Sequence, residues 1–206
     1  IIIKERPEIL RDDQGNPLAA AECFLALYME KMNGGLVNAP LRGIEEASLK
    51  LHPTPPRLLE GRWPDWGSDE VVVGRPLVSR LKNCSLGDTL TLNTTPFAVV
   101  GVYEFDNSQG SEIWGPVERM LEALDRPVYN RVIARVHPDL DFAMATEQLE
   151  EDPRLSFSIT RQSEYLAAQT TGLSTSLLLL SIFLTIIMGS AAVIGTMNTM
   201  LATVAS

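Results

Sequence analysis

Charge is absent from the last fifth of this 206-residue chain: Tyr165 to Ser206 holds no Asp, Glu, Lys or Arg. Histidine and cysteine are scarce, with two of each. His52 and His137 each precede a proline and have no second His or Cys at ligand spacing, so no zinc site is expected and both read as ordinary surface residues. No GxxxxGK[ST] phosphate loop occurs, which excludes ATP hydrolysis by that route, and no GxSxG nucleophile turn is present. The acidic groups Asp12-Asp13, Glu45-Glu46, Asp69-Glu70 and Glu150-Glu151-Asp152 suit solvated turns and helix ends better than acid/base pairs. A formal charge of -9 without a Lys/Arg cluster in sequence argues against nucleic acid and against docking on anionic lipid. No catalytic, metal or cofactor residues are expected.

The uncharged tail is long enough to cross a bilayer, which takes about 20 predominantly apolar residues. Its apolar run opens at Leu177-Leu178-Leu179-Leu180 and continues through Ala202, predicting a transmembrane helix over 177–206. A buried core helix is the alternative, but such helices are usually shorter and polar on one side. Ser181, Thr185, Gly189, Ala192, Thr196, Thr199 and Thr203 recur every three or four residues and so share one helix face. In lipid, small and hydroxyl residues let a second helix approach closely, so this face predicts a packing partner, against the bland alternative of chance. Asn198 adds a polar amide inside the membrane that needs a neighbour. The preceding segment is too polar to prefer lipid and is expected to form a helical stalk over 164–176. Gly172 is the candidate hinge there, or simply a tolerated helix glycine.

Upstream, 163 residues suffice for a sizeable core in one domain or two lobes. Pro7 suits a helix terminus, and Arg11 to Pro17 reads as a loop. Asn33-Gly34-Gly35 is a turn signal between Ala21–Met32 and Leu36–Ile44, predicting a hairpin, although the first of these segments also has helical composition. The Pro- and Trp-rich stretch from Leu51 to Gly67 is expected to be an irregular crossover. Glu70-Val-Val-Val-Gly-Arg-Pro76 predicts a buried strand running into a short helix over Leu77–Lys82. Leu86–Leu92 and Pro96–Glu104 predict a second hairpin around Asn93-Thr94-Thr95, and Pro116 starts a helix that ends near Asp125. Alternation at Val132, Ala134 and Val136, a cap at Asp141, a stop at Pro153 and alternation at Leu155, Phe157 and Ile159 predict a βαβ unit. Cys23 and Cys84 fit either a disulfide or, preferably, two small buried residues. The abrupt start at Ile1-Ile2-Ile3-Lys4 and abrupt end read as a piece of a longer membrane protein.

Glu70-Val-Val-Val-Gly-Arg75, Leu86-Gly-Asp-Thr-Leu-Thr-Leu92 and Phe97-Ala-Val-Val-Gly-Val-Tyr-Glu104 resemble the MacB/FtsX family of ABC transporter permeases. Ser111-Glu-Ile-Trp114, Leu59-Glu-Gly-Arg62 and the C-terminal Gly195-Thr-Met-Asn-Thr-Met-Leu-Ala-Thr-Val-Ala-Ser206 extend the likeness, whereas neither cysteine belongs to it. The resemblance implies an α+β extracytoplasmic core over 1–163. Its membrane-proximal βαβ lobe would be 1–44 plus 127–163, its inserted β-rich outer lobe 45–126, and a stalk and transmembrane helix would come after them. It further implies location in a bacterial inner membrane with 1–163 in the periplasm, a separate cytoplasmic ABC ATPase subunit that carries the ATP and magnesium, and a second permease copy. A periplasmic adaptor or outer-membrane channel would be a further partner. The expected function is mechanotransmission: ATP-driven motion passed from cytoplasm to periplasm for export or envelope-substrate handling. One alternative is a membrane-tethered extracytoplasmic sensor, which would carry a soluble signalling region after Ser206 where a permease carries further membrane helices. The other is a regulator of a cell-wall hydrolase.

Overall fold

The computed structural model describes residues 2–125, 128–150 and 158–204, and the chain divides into two compact units, Ile1–Leu140 and Asp141–Ser206. The first unit is built on one mixed eight-stranded sheet. After a 3-10 turn at Ile2–Glu5, the strands are β1 (Ala19–Glu30), β2 (Leu36–Ile44), β3 (Arg57–Gly61), β4 (Glu70–Gly74), β5 (Thr89–Leu92), β6 (Thr95–Glu104), β7 (Ile113–Pro116) and β8 (Arg131–Ala134). The helices interleaved with them are short: α1 (Ser48–Leu51), α2 (Arg75–Val78) and α3 (Val117–Ala123). The strand order is β3-β6-β4-β7-β2-β1-β8, with β5 paired to β6.

Both expected hairpins form. β1 and β2 pair antiparallel from Cys23↔Gly43 to Glu30↔Leu36, joined through Asn33-Gly34-Gly35, whose two glycines take positive φ. β5 and β6 close with Leu92↔Thr95, so the turn is the dipeptide Asn93-Thr94, with Asn93 in the left-handed region that asparagine tolerates (φ 57°). The strand alternation sorts the core onto two faces. Val71, Val73 and Ile113 pack with Leu41, Phe97, Leu77 and Met120 on one face, under α2 and α3. Val72, Trp114, Tyr103 and Ile44 form an aromatic-rich cluster on the other. Where α3 meets the sheet, two glycines pair across β2 and β7 (Gly43↔Gly115). A Cβ on Gly43 would lie 2.5 Å from Cys23 Sγ and 2.8 Å from Val117 Cα, so the helix rests directly on backbone.

Two expectations about the elements are corrected. The 51–67 stretch is not irregular throughout: Arg57–Gly61 pairs antiparallel with β6 across a bulge at Leu58/Glu60, because Pro55 and Pro56 end before the strand begins. The helix after Gly74 covers Arg75–Val78, with Pro76 in its first turn, and stops short of Lys82. Residues 80–82 instead run beside the end of β1, with Met32 N–H donating to Arg80 O (3.0 Å) and Lys82 N–H to Glu30 O (2.9 Å). With its one N–H committed to Glu30 O, Lys82 cannot make the helical bond to Val78 O.

In the second unit, Asp141 caps α4 (Phe142–Glu150), accepting at Oδ1 from Ala143 N–H (3.0 Å). Of the returning strand, Leu155 and Phe157 lie outside the described residues, and Ile159 sits in non-regular backbone. α5 then runs without a break from Gln162 to Val204, 43 residues. Arg161 stacks its guanidinium over the Phe142 ring at 4.6 Å.

Candidate functional site

Charge buried in the first unit was not anticipated from the sequence. Arg42, near the C-terminal end of β2, donates from Nε and one terminal nitrogen to the two carboxylate oxygens of Glu112 (2.6 and 2.8 Å), and from its other terminal nitrogen to Glu22 (3.0 Å). All three side chains are buried. The fork-shaped guanidinium matches a carboxylate at two points, which is how such a pair survives out of water. Trp114 Nε1 donates a further bond to Glu112 (2.8 Å), and Phe24 covers the guanidinium from 5.0 Å. The carboxylates hold Arg42 charged by raising its already high pKa against the opposing effect of burial. One oxygen of Glu22 and the side-chain oxygen of Gln109 remain without a hydrogen-bond partner.

The network extends along the aromatic face. Tyr103 donates its hydroxyl to the main-chain oxygens of Gln109 (2.7 Å) and Glu112 (3.1 Å), and its ring lies 4.5 Å from Trp114. Burial lifts the Tyr103 hydroxyl well above the usual phenol range. His52 corrects the surface reading: it is buried, edge-on to Phe105 at 5.0 Å and stacked 6.3 Å from Trp114. Burial, helped by the charges of Arg42 and Arg131, pushes its pKa down to about 4, so it is a neutral packing group. His137 remains at an exposed position, as expected. The sequence signal for the network was available: Glu22 follows Ala19-Ala20-Ala21, and Glu112 stands directly before Ile113-Trp114. A lone charge inside a buried strand requires a partner.

Cys23 and Cys84 are both free and buried, in agreement with the small-residue alternative. Burial raises both thiols, Cys84 to about 11. Among the described residues no group of three or more His, Cys, Asp or Glu could hold a metal.

In the second unit, Leu177–Met197 is long and apolar enough to span a membrane, with mean hydropathy 2.6. The expected packing-face residues Ser181, Thr185, Gly189, Ala192 and Thr196 are all exposed on α5. Thr185 donates its hydroxyl to Ser181 O (2.8 Å), Thr196 donates to Ala192 O, and Gly189 has open space around it. These back-bonds satisfy the hydroxyls without a partner helix. The side chains of Asn198 and Thr199 lie outside the described residues, and the helix passes through Gly172.

A folded α+β sheet domain followed by a helix with an uncharged stretch long and apolar enough to span a bilayer defines the architecture of a membrane-anchored domain. Comparison with known proteins makes this specific. Residues 11–152 match the model of the MacB-like periplasmic core domain. The chain therefore belongs to that family, that of the ABC permeases of the MacB/FtsX kind. Solved structures share the fold at low identity. The periplasmic region of MacB from Actinobacillus actinomycetemcomitans aligns with a TM-score of 0.51 at 18% identity, covering 72% of this chain and 70% of that one. The extracellular domain of the noncanonic ABC-type transporter YknZ from Gram-positive bacteria gives 0.55 at 13%, covering 75% and 81%. A domain of a putative permease from Porphyromonas gingivalis gives 0.50 at 17%, covering 74% and 73%. No curated protein sequence matches the chain.

Proposed function

We propose that this permease chain transmits mechanical work. In this reading a separate cytoplasmic ATPase, carrying ATP and magnesium, closes on nucleotide and displaces a bundle of membrane helices. The rod from Tyr165 to Met200 passes that displacement to the periplasmic domain, which handles an exported or envelope substrate with a periplasmic adaptor. Two permease copies would pack through Ser181, Thr185, Gly189, Ala192, Thr196 and Thr199, with Asn198 bonded between helices and Gly172 permitting a bend. The division into a proximal lobe (1–44 and 127–163) and an outer lobe (45–126) belongs to the same proposal, as does placement in a bacterial inner membrane.

The observation that carries it is the unbroken α5: 43 residues of helix at about 1.5 Å each make a continuous element roughly 65 Å long, far more than one crossing requires. A stiff helix delivers displacement, whereas a flexible linker would absorb it. The test uses the full-length permease reconstituted with its ATPase. Three glycines inserted after Thr171 should leave ATP hydrolysis intact and abolish the nucleotide-dependent movement of spin labels in the periplasmic domain. Gly189→Leu with Ala192→Leu should weaken assembly of the two permeases and lower ATP-coupled transport. Unchanged label movement after the glycine insertion overturns the rod, and unchanged assembly and transport overturn the packing face.

A further inference from the structure

Strand β1 has one edge that is only partly closed. Its inner edge pairs with β2 over Cys23–Glu30, while its outer edge pairs with β8 only over Ala19–Glu22. Beyond Glu22, groups from outside any strand close the outer edge at two points. The Asn130 side-chain amide imitates a peptide unit, accepting from Phe24 N–H (2.8 Å) and donating to Phe24 O (2.7 Å). At the far end, Lys82 N–H occupies Glu30 O (2.9 Å). Ala26 and Tyr28 lie between these caps. Alternate residues of an antiparallel strand turn their main-chain groups to the same edge, so these two face outward like Phe24 and Glu30. Pro40, directly opposite Ala26, has no N–H to offer, as expected for a pair that exchanges no bonds. Among the described residues no strand pairs with this stretch.

The surroundings select a partner. Tyr28 is 77% exposed, Leu36 66% and Met32 61%. In a chain of net charge -9, the fold also gathers Lys31, Arg80 and Lys82 at this end of β1. The carboxylate present there, Glu30, binds Lys82 (2.9 Å). Lys31 and Arg80 have no carboxylate partner among the described residues. The cationic cluster missing from the linear sequence is thus made by chain crossing.

We propose that this edge receives an extended, acidic polypeptide segment of a partner protein, added as a strand beside Ala26 and Tyr28. Open strand edges bind through main-chain hydrogen bonds and select through alternate side chains. Phe24 and Glu30 set the limits, leaving space for about five residues at roughly 3.4 Å each. Apolar side chains of the incoming strand cover Tyr28 and Met32, and its carboxylates meet Lys31 and Arg80.

The test uses the full-length chain in neutral-lipid nanodiscs and a fluorescent peptide, Asp-Val-Thr-Val-Asp-Val-Glu. Binding should slow deuterium exchange over residues 24–30. N-methylation of alternate peptide amides should weaken binding by about tenfold for each main-chain bond lost. Ala26→Pro, which removes an outward N–H and no bond to β2, should do the same. Lys31→Glu with Arg80→Glu should weaken the acidic peptide and favour its lysine-substituted twin. Asn130→Ala uncaps Phe24, lengthens the free edge and should tighten binding. Should Ala26→Pro unfold the domain by circular dichroism, the N-methyl comparison on the unaltered chain decides. Equal affinity for the N-methylated peptide overturns the proposal. So does displacement of the peptide by anionic vesicles, or finding only self-association of the chain at this edge.

Discussion

Two regions of this molecule are kept from water, and they treat polarity in opposite ways. The sheet interior admits three full charges, Glu22, Arg42 and Glu112, because converging strands place a fork-shaped cation between two anions. The membrane helix admits no charge over Leu177–Met197, and its hydroxyls return their hydrogen bonds to the preceding turn. Lipid offers no fixed partner, so an element that crosses it must be satisfied internally. A protein core can supply partners from distant sequence, at the risk that losing one strands the others.

That contrast can be broken most severely at Arg42. Arg42→Met should destabilise the first unit by about 3–5 kcal/mol, measured as the thermal midpoint, by leaving two buried carboxylates unpaired. Replacing all three at once (Glu22→Leu, Arg42→Met, Glu112→Leu) should recover most of that loss. The reverse intrusion, Ile187→Arg at the centre of the span, should cost about 2.5–3.5 kcal/mol of insertion, read by a glycosylation-based insertion assay. Gly43→Ala should lower unit stability by about 1–3 kcal/mol through overpacking against Cys23 and Val117. His52 gives a pH-dependent effect. Its folded pKa of about 4 lies below the ordinary 6.5, so the unfolded chain takes up the proton first. Stability should therefore fall as pH drops from 6.5 through 4, and His52→Leu should flatten that part of the denaturation profile. Thr185→Val should be the mildest, within about 0.6 kcal/mol in a membrane-assembly assay, because the hydroxyl it removes is bonded within its own helix and the methyl that replaces it keeps the shape of the packing face.

Legibility in the sequence followed the range of the cause. The membrane helix, the two hairpins, the buried strand at Glu70–Gly74 and the helix after Pro116 depend on neighbours a few residues away, and each could be read directly. Arg57–Gly61 was hidden by the prolines and tryptophans around it, because its partner, β6, lies about forty residues on. The charge network was half legible: Glu22 and Glu112 beside apolar strand residues announce a need for a partner, but not that the partner is Arg42, 70 residues from Glu112. His52 looked like a loop histidine until Phe105 and Trp114, both more than fifty residues downstream, closed around it. Helix α2 was placed too late because nothing local announced that Arg80 and Lys82 would be claimed by the end of β1.

The two thiols have a practical corollary. Sealed in the interior and shifted away from thiolate, Cys23 and Cys84 present almost no nucleophile to an oxidant or a maleimide. Once the domain is folded, neither thiol is open to cross-linking. Reporter cysteines can also be installed at surface positions on the natural background, with dye reaching only the new sites.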